Sequence, residues 1–342
     1  MGELQPEGRF SSKTLHVLWK NLTCVGESSP IFTHQNKDNM AENIISIKNV
    51  VKEYGNYLAV NDVSFDVPTG SMFGLLGPNG AGKTSLIRMI TTITGPDSGQ
   101  ILLDGQRLSQ DSPRHIGYMP EERGLYKKMK VGEHLIYLAR LKDLSERDAR
   151  ASIDEWLTKF EIKDWWNKKI EDLSKGMQQK IQFIATVVHR PKLLILDEPF
   201  TGLDPINTNL IKDEIRELHR NGTSIIFSTH RMEQVEEMCE HIVLINKGRN
   251  VLYGPVRDIQ ERYKEHLFEV EFLGGLPVGF LEKQEIVRRD EHSFVAKLAP
   301  GADSNQLVRE LIAAGVRLRS FREIMPTFNE IFIKTVGENN HE

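Results

Sequence analysis

The sequence predicts an α/β fold built on a partly parallel sheet, followed by a small α+β domain. From residue 44 to about residue 251, short apolar runs typical of strands alternate with helical patterns. A glycine-rich loop motif directly follows one of these runs. Alternation of this kind is typical of parallel strands that are joined by helical crossovers. Beyond about residue 253 the strands become apolar on one side only, which indicates a second domain.

The composition is that of a globular protein from a reducing compartment. The chain has 342 residues, 39% of them hydrophobic, and a net charge of −4. Because no global basic field is present, we expect no nucleic-acid partner. The two cysteines, Cys24 and Cys239, have the spacing of neither a disulfide framework nor a metal motif. No apolar stretch reaches the roughly 18 residues of a spanning helix, so we expect any membrane-spanning part to lie in another chain.

Residues 1–39 differ in composition from the sequence that follows. They contain Ser, Gly, Pro and Asn, and their apolar patch at residues 15–19 is too short for the core of a signal peptide. A cleaner pattern starts at Met40, and IISIKNVVKEYG from Ile44 predicts a first strand that ends in a turn. We therefore expect an over-long start or a flexible tail before Met40, and a first domain over residues 40–260.

Six further strand-like runs follow within the first domain. They are SMFGLLG, ILLD, IGYM, KLLIL, SIIFS and HIVLI. A helix is predicted after the first of them, through Ile93. Residues 122–176 interrupt the alternation with a mostly helical insert, in which Ser145 and Asp148 form a capping-box-like pattern before apolar residues at helical spacing. We expect the tryptophans of this insert, Trp156 among them, to pack in a core rather than to form a ligand cage.

The remainder of the chain predicts a small α+β accessory domain over residues 266–336. The run LFEVEFL alternates apolar side chains with glutamates, so we expect a strand with Glu269 on its polar face. Two further strands of this kind are predicted at HSFVAKL and VRLRSF. A helical pattern that stops at Gly315 separates them. A last helix is predicted after Pro326, with Thr327 as its cap. No nucleotide motif or catalytic cluster stands out in this domain.

The residues that carry chemistry begin with a phosphate-binding loop. The run Gly77, Pro78, Asn79, Gly80, Ala81, Gly82, Lys83 and Thr84 fits the pattern G-x-x-x-x-G-K-[ST], and Ser85 follows it. Glycines allow the tight backbone curvature that turns successive N–H groups toward phosphate oxygens at a helix N-terminus. In this motif Lys83 contacts the β- and γ-phosphates, and Thr84 is a ligand of Mg²⁺. The loop therefore predicts binding of a nucleoside triphosphate such as ATP, together with Mg²⁺.

An acidic strand end further along the chain predicts a metal and water site. In the run LLILDEP, four apolar residues bury a strand that ends at Asp197, which places this carboxylate near the expected Mg²⁺. Glu198 follows on the other side of the strand register, where it polarises the attacking water as a general base. An apolar run that ends in Asp-Glu is also common at strand ends with a structural role. Its position downstream of a phosphate-binding loop favours the catalytic interpretation.

The run LSKGMQQK, just upstream of this strand, points to a family. It resembles the signature sequence of ATP-binding cassette (ABC) ATPases, usually written LSGGQ, with Lys175 and Met177 in place of the usual Gly and Gln. The resemblance implies a P-loop NTPase cassette with a RecA-like core and a helical subdomain over residues 122–176. It also implies that Ser174 and Gly176 face the γ-phosphate bound by the opposite subunit. Alone, Leu-Ser-x-Gly is more often a helix cap than a ligand site.

Three further positions fall where the ABC family has functional residues, and each has an alternative. Tyr54 resembles the aromatic residue that stacks on adenine, although a lone tyrosine near a strand end is more often a packing residue. Asp204, in the tripeptide GLD, resembles the loop that crosses the dimer interface, although the tripeptide alone indicates a turn. His230 resembles the switch histidine at the γ-phosphate, although a solitary histidine there is usually a structural cap. Together these agreements imply an ATPase in which Lys83, Glu198 and His230 act in catalysis.

Glu121 departs from the family pattern. The family commonly has Gln at this place, after the strand that precedes the helical insert, where it contacts Mg²⁺ and reports to the membrane partner. A carboxylate is also a hard oxygen ligand, so the resemblance implies Mg²⁺ ligands at Thr84, Asp197 and Glu121. The alternative is that Glu121 points to solvent and makes no contact with the ion.

The segments PEERGLY, LSKGMQQK and FNEIFIK together resemble the cytoplasmic ATPase of ABC-2-type exporters, especially that of two-component sodium exporters. Related subunits serve drug or antibiotic export. The resemblance implies a membrane-spanning ABC-2-type permease that docks near residues 122–137, a second ATPase subunit, and a location at the cytoplasmic face of the cell membrane. A soluble ABC ATPase that acts on ribosomes or DNA is an alternative, although a single P-loop and the lack of sustained heptads disfavour it. A regulatory ATP-binding module is another.

Overall fold

The structure, a computed structural model, describes residues 43–122 and 124–338, so the tail predicted over residues 1–39 lies outside the described residues. The strands in chain order are β1 Asn43–Tyr54, β2 Tyr57–Pro68, β3 Met72–Leu76, β4 Ser98–Leu103, β5 Gln106–Arg107, β6 Ile116–Met119, β7 Leu193–Asp197, β8 Ser224–Thr229, β9 His241–Asn246, β10 Arg249–Pro255, β11 Leu267–Leu273, β12 Glu285–Arg289, β13 Ser293–Lys297 and β14 Arg317–Ile324. The helices are α1 Lys83–Ile90, α2 Val131–Leu141, α3 Glu146–Lys159, α4 Lys175–Val187, α5 Pro205–Arg220, α6 Met232–Met238, α7 Val256–Tyr263, α8 Ser304–Ala313 and α9 Phe328–Glu338.

The central sheet has six strands in the order β10, β9, β3, β8, β7 and β6. The last five of these run parallel to one another, and β10 is antiparallel to β9. Every residue of β3, β7 and β8 is buried, as expected for a sheet that is covered on both faces. This confirms the α/β fold class. Because β3, β8 and β7 are parallel neighbours, their carboxyl ends meet at one edge of the sheet.

A second, antiparallel sheet covers one face of the central sheet. Its strands lie in the order β2, β1, β4 and β5. Phe65 of β2 stacks on Phe73 of β3 with ring centroids 5.5 Å apart, and both rings belong to the buried cluster that also contains Leu86 and Ile87 of α1. Strand β3 is therefore held between α1 and the antiparallel sheet, which fixes the point where the phosphate-binding loop begins.

Two helices, α2 and α3, lie within the segment for which the sequence predicts a helical insert. The Ser145 hydroxyl accepts a hydrogen bond from the Asp148 N–H at 3.1 Å and so caps α3. Trp156 on the buried face of α3 lies 5.8 Å from the ring of Phe160 and 5.8 Å from that of Phe183. The tryptophan therefore packs in the core, as expected from the spacing of the apolar residues.

Helix α1 is shorter than the sequence predicts. We expected it to continue through Ile93, but it ends at Ile90. The Thr91 hydroxyl donates a hydrogen bond to the carbonyl of Ile87 at 2.8 Å, and Thr92 takes a left-handed backbone conformation with φ 61°. A β-branched residue in that region cannot continue a right-handed helix, so the helix stops before it.

The third sheet is antiparallel, with the order β12, β13, β11 and β14, and helix α8 packs on one face, with its Leu311 in one apolar cluster with Phe272 and Phe294. The opposite face of this sheet is more buried at Glu269 than the sequence predicts. Glu269, assigned from the sequence to a polar face, is 8% exposed, because Arg288 and Arg322 cover it with ion pairs of 2.9 and 2.5 Å. Long arginine side chains can bury a carboxylate in this way on a surface that no helix covers.

The last helix, α9, does not share the apolar cluster of the small sheet. It starts where predicted, since the Thr327 N–H donates to Glu330 at 2.8 Å in a capping box. Its residues Phe328 and Ile331 are 2% and 1% exposed and belong to the apolar cluster that contains Leu194 of the central sheet and Trp156 of the helical insert. Within residues 43–122 and 124–338, no helix combines the length and the apolar content that crossing a membrane requires.

Replacement of Gly132 by alanine should destabilise the helical insert. A Cβ at Gly132 of α2 would lie 2.4 Å from Cε2 of Trp166, and the Gly132 N–H donates to the Trp166 carbonyl at 3.0 Å. Overpacking of this kind costs about 1–3 kcal/mol. Chemical denaturation should show this loss for Gly132→Ala and almost none for Gly95→Ala, a site with nothing within 4 Å of its Cβ. Increased stability, as helix propensity alone would give, would contradict the packing.

Candidate ATP-binding site

The phosphate-binding loop connects β3 to α1, and its own lysine holds it in shape. Lys83 is 8% exposed, and its ammonium group donates hydrogen bonds to the carbonyls of Gly77 and Pro78 at 2.7 and 3.1 Å. Gly82 has φ 111°, and a Cβ there would lie 2.4 Å from the carbonyl oxygen of Ala59. Only glycine fits at this position. The tight loop that the sequence motif predicts is therefore present.

A cavity of about 300 Å³ opens above this loop and brings many of the predicted site residues together. The acidic residues Glu121, Asp197 and Glu198 line it together with the loop. Its lining consists of Tyr57, Ala59, Asn79, Gly80, Ala81, Gly82, Lys83, Thr84, Ser85, Glu121, Asp197 and Glu198. Groups that attract phosphate and groups that attract a metal ion thus share one cavity. Of the loop itself, only Gly77 and Pro78 are outside the lining.

Asp197 is fixed by the strand next to its own. It is 5% exposed, and its Oδ1 accepts a hydrogen bond from the Ser228 hydroxyl of β8 at 2.8 Å. Burial raises the pKa of Asp197, an effect that the Ser228 hydrogen bond and the charge of Lys83 oppose. Burial likewise lowers the pKa of Lys83, whereas the carboxylates of Glu198, Asp197 and Glu121 raise it. The two opposite charges therefore stabilise each other in a partly desolvated site.

Glu198 is held from two directions at the end of β7. Its carboxylate is buried, Oε2 accepts a hydrogen bond from the Thr229 hydroxyl at 3.1 Å, and Oε1 accepts one from the His230 N–H at 2.8 Å. The Nδ1 atom of His230 lies 2.5 Å from the same Oε1. Since the carboxylate is an acceptor, Nδ1 carries the proton of this bond. His230 does not line the cavity but contacts Glu198, which does.

The backbone of Glu198 is also constrained. Its φ is 49°, a region that non-glycine residues rarely adopt, and its N–H donates to the Ser228 carbonyl at 2.9 Å. Strained backbone of this kind persists where surrounding contacts fix it, and it is common at functional sites. The conformation lets Glu198 lie in the same cavity as Asp197 although the two residues are adjacent.

The oxygen donors of this cavity fit a Mg²⁺ ion that also binds phosphate. Thr84, Asp197 and Glu121 supply hard oxygen ligands, and the carboxylates in the cavity outnumber its one ammonium group. In the part of the chain that the structure describes, no group of three or more His, Cys, Asp or Glu residues could hold a metal ion by itself. Mg²⁺ in nucleotide sites takes few protein ligands and completes its shell with phosphate and water, which agrees with this donor set.

Three predicted residues lie at helix N-termini outside the cavity. The Ser174 hydroxyl accepts a hydrogen bond from the Met177 N–H at 3.3 Å and caps α4, and Asp204 accepts one from the Asn207 N–H at 3.0 Å and caps α5. A Cβ on Gly176 would lie 3.8 Å from Leu203 in ordinary contact, so the two helix starts are neighbours. Packing within one chain therefore does not require glycine at position 176.

The structure places Tyr57, rather than Tyr54, beside the phosphate-binding loop. The two tyrosines pair across the hairpin of β1 and β2, and the Tyr57 hydroxyl donates to the Gly80 carbonyl at 3.0 Å. Tyr54 does not line the cavity. Its ring is 40% exposed and lies 5.5 Å from the Lys52 ammonium group. Stacking of Tyr54 on adenine stays a prediction. The contact of Tyr57 with the phosphate-binding loop was not predicted from the sequence.

Comparison with known proteins agrees with this site. The sequence model for the family described as "ABC transporter" matches residues 60–201, and the model for "ATP-binding protein DrrA1-3-like, C-terminal domain" matches residues 254–336. The chain is 43% identical to the uncharacterized ABC transporter ATP-binding protein YhaQ of Bacillus subtilis, over 86% of this chain and 99% of YhaQ. This chain belongs to the ABC transporter ATP-binding proteins. It is an ATPase of that family.

Other relatives place this ABC ATPase in the group that includes NatA and DrrA. It is 34% identical to the ABC transporter ATP-binding protein NatA of Bacillus subtilis, over 65% of this chain and 92% of NatA. It is also 34% identical to the linearmycin resistance ATP-binding protein LnrL of that organism, over 86% of this chain and 98% of LnrL. A solved ATP-binding subunit of an ABC transporter superposes with a TM-score of 0.61 at 31% identity, over 64% of this chain and 93% of the other.

Removal of the Thr229 hydroxyl should slow ATP hydrolysis by this ABC ATPase. Thr229→Val keeps the shape of the side chain but leaves Oε2 of Glu198 without its donor. A hydrogen bond to a charged group contributes about 1.5–3 kcal/mol, so we expect kcat to fall roughly 10- to 100-fold. KM for ATP should stay within about twofold, because Thr229 does not line the cavity. Thr229→Ser retains the donor and should restore most of the rate; native kcat in the valine variant would contradict the role.

Glu121→Gln should retain ATP hydrolysis but change its Mg²⁺ dependence. The amide keeps an oxygen ligand and loses the negative charge, so the half-saturating Mg²⁺ concentration should rise about 3- to 10-fold. Glu122→Gln is the matched control, because Glu122 is adjacent and exposed and does not line the cavity. The measurement is a Mg²⁺ titration of the ATPase rate at constant ATP. An unchanged titration for Glu121→Gln would show that this carboxylate is not a ligand.

Proposed function

We propose that this ABC ATPase powers export through a separate ABC-2-type permease and works at the cytoplasmic face of the cell membrane. The observation that carries the ATPase chemistry is the Glu198 carboxylate, held by Thr229 and His230 in the cavity of the phosphate-binding loop. The match of residues 254–336 to the DrrA-like C-terminal domain supports the exporter type. The similarity to NatA and LnrL supports it further.

We propose a step in hydrolysis for each of these groups. Backbone N–H groups of the loop and the Lys83 ammonium group bind the phosphates, and Asp197, Thr84 and Glu121 are the proposed Mg²⁺ ligands. When bound, Mg²⁺ neutralises phosphate charge in the transition state. Glu198 accepts a proton from the attacking water, and its hydrogen bonds to Thr229 and His230 keep the carboxylate aimed at that water. No residue of the chain needs to form a covalent intermediate.

We propose that a second ATPase subunit completes each site. Ser174, Gly176 and Asp204 lie at the starts of neighbouring helices and are absent from the cavity lining of their own chain. Helix N-termini attract anions, so these residues suit the γ-phosphate that the partner binds. ATP would then join two subunits and hydrolysis would separate them. A closed state that binds ATP more tightly than the open state shifts the population toward closure.

An apolar groove supports the proposed docking of the permease near residues 122–137. The groove has a volume of about 370 Å³ and is lined by Tyr118, Leu125, Leu138 and Leu141 among others. Leu141 and Ile93, which both line the groove, are each 60% exposed. A groove of this kind fits a short amphipathic helix from a partner protein. Pro120 lines this groove and directly precedes Glu121, which lines the ATP site, so the proposed docking surface and the ATP site adjoin along the chain.

The proposed exporter has two candidate classes of cargo. Sodium ion is our first candidate, because the sequence resembles the ATPases of two-component sodium exporters. Drug or antibiotic export is the second, and its support is the relative LnrL, a linearmycin resistance protein. The alternative outside transport is a soluble ABC ATPase. The exposed apolar groove favours a membrane partner over that alternative.

The test is a search beside the gene of this ATPase for a gene that encodes a protein with several spanning helices, followed by reconstitution of that permease with the ATPase. Vesicles that contain both proteins should hydrolyse ATP faster than the ATPase alone, and sodium or a lipophilic antibiotic should raise the rate further. Glu198→Gln should bind ATP and trap a dimer but lose at least about 100-fold in rate, because it lacks the base. Hydrolysis by this variant at the native rate would refute the base assignment. If no permease copurifies and none stimulates hydrolysis, the exporter proposal fails.

A further inference from the structure

Helix α6 begins directly after the histidine that contacts Glu198. Arg231 is its N-cap, and the helix spans Met232–Met238. Val235 is fully buried, and a Cβ on Gly74 of β3 would lie 2.9 Å from its side chain. Helix α6 therefore rests on the strand that carries the phosphate-binding loop. A shift of α6 would move the backbone of His230, and with it the donor to Oε1 of Glu198.

A second link joins α6 to the base. The Thr229 hydroxyl accepts a hydrogen bond at 3.1 Å from the N–H of Arg231, the N-cap of α6. Thr229 in turn donates to Oε2 of Glu198. Both carboxylate oxygens of Glu198 thus accept hydrogen bonds from residues that directly precede α6.

The C-terminal helix α9 holds α6 from the outside. The Phe328 N–H, at the start of α9, donates to Oε1 of Glu236 on α6 at 2.5 Å. Phe328 and Ile331 are buried in the same apolar cluster as Met232, Val235 and Met238 of α6. A further hydrogen bond holds the segment just before α9. The side-chain amide of Gln260 on α7 donates to the Pro326 carbonyl at 3.1 Å. A helix more than 90 residues downstream of His230 is therefore built into the support of the catalytic pair.

We propose that α9 positions His230 and Glu198 through α6, with Glu236 and Phe328 as the positioning residues, so that ATP hydrolysis depends on the docking of the C-terminal helix. This inference rests on the proposed role of Glu198. It gives the C-terminal region a part in the reaction, although no residue of that region reaches the cavity. A partner that displaced α9 would slow hydrolysis without competing with ATP.

The experiment compares variants at the contact between α6 and α9 with a matched core variant elsewhere. Glu236→Ala removes the acceptor of the Phe328 N–H, and Phe328→Ala removes the buried ring. We expect either to lower kcat about 5- to 20-fold and to leave KM for ATP within about twofold, because the loop and its cavity are untouched. Glu236→Gln retains an oxygen acceptor and should recover most of the rate. Leu311→Ala, fully buried in the cluster of the small sheet, should leave kcat within about twofold.

A double-variant series separates positioning from mere stability. In a Glu198→Gln background the addition of Glu236→Ala should have no further effect on the residual rate, because the carboxylate through which it acts is already removed. Additive losses in that background, or a native kcat in both Glu236→Ala and Phe328→Ala, would overturn the proposal. Failure of the base assignment gives a different result, namely native hydrolysis by Glu198→Gln whatever happens at α9.

Discussion

The parallel pairing of β7 with β8 is the constraint on which the site depends. In this register Asp197 lies opposite Ser228, so the next residues along, Glu198 and Thr229, also come together at the sheet edge. Each carboxylate then receives a hydroxyl donor from the neighbouring strand. A slip of one residue would turn both hydroxyls away from the site. Burial on both faces of the sheet makes such a slip costly, so the core itself fixes the catalytic geometry.

The same edge brings together the site residues that line one cavity within a single chain. The loop after β3, the carboxylates after β7 and the histidine after β8 meet there because their strands are parallel neighbours. Ser174 and Asp204 are not at the ends of these strands. Each side chain caps the N-terminus of its own helix. Gly176 has only ordinary van der Waals neighbours for a Cβ, so its missing side chain leaves room for something outside the chain.

Sequence patterns predicted the residues that act through local geometry. The loop from Gly77, the strand end at Asp197 and the capped helices at Ser145 and Thr327 are all encoded within a few neighbouring positions. Contacts across strands and helices were not predictable in this way. Thr229 meets Glu198 from 31 positions away, and the Phe328 N–H meets Glu236 from 92 positions away. The burial of Glu269 was missed for the same reason, because its two arginines lie on other strands.

The central claim, that each chain supplies half of a shared ATP site, is tested most directly by mixing two inactive variants. Lys83→Ala disables the phosphate-binding loop, and Gly176→Glu places a negative charge at the helix start proposed to face the partner's phosphate. Each variant alone should be inactive, while mixed dimers contain one intact site, so the mixture should recover about a quarter of the native rate. A mixture that stays inactive, or native activity of Gly176→Glu alone, would contradict the shared site.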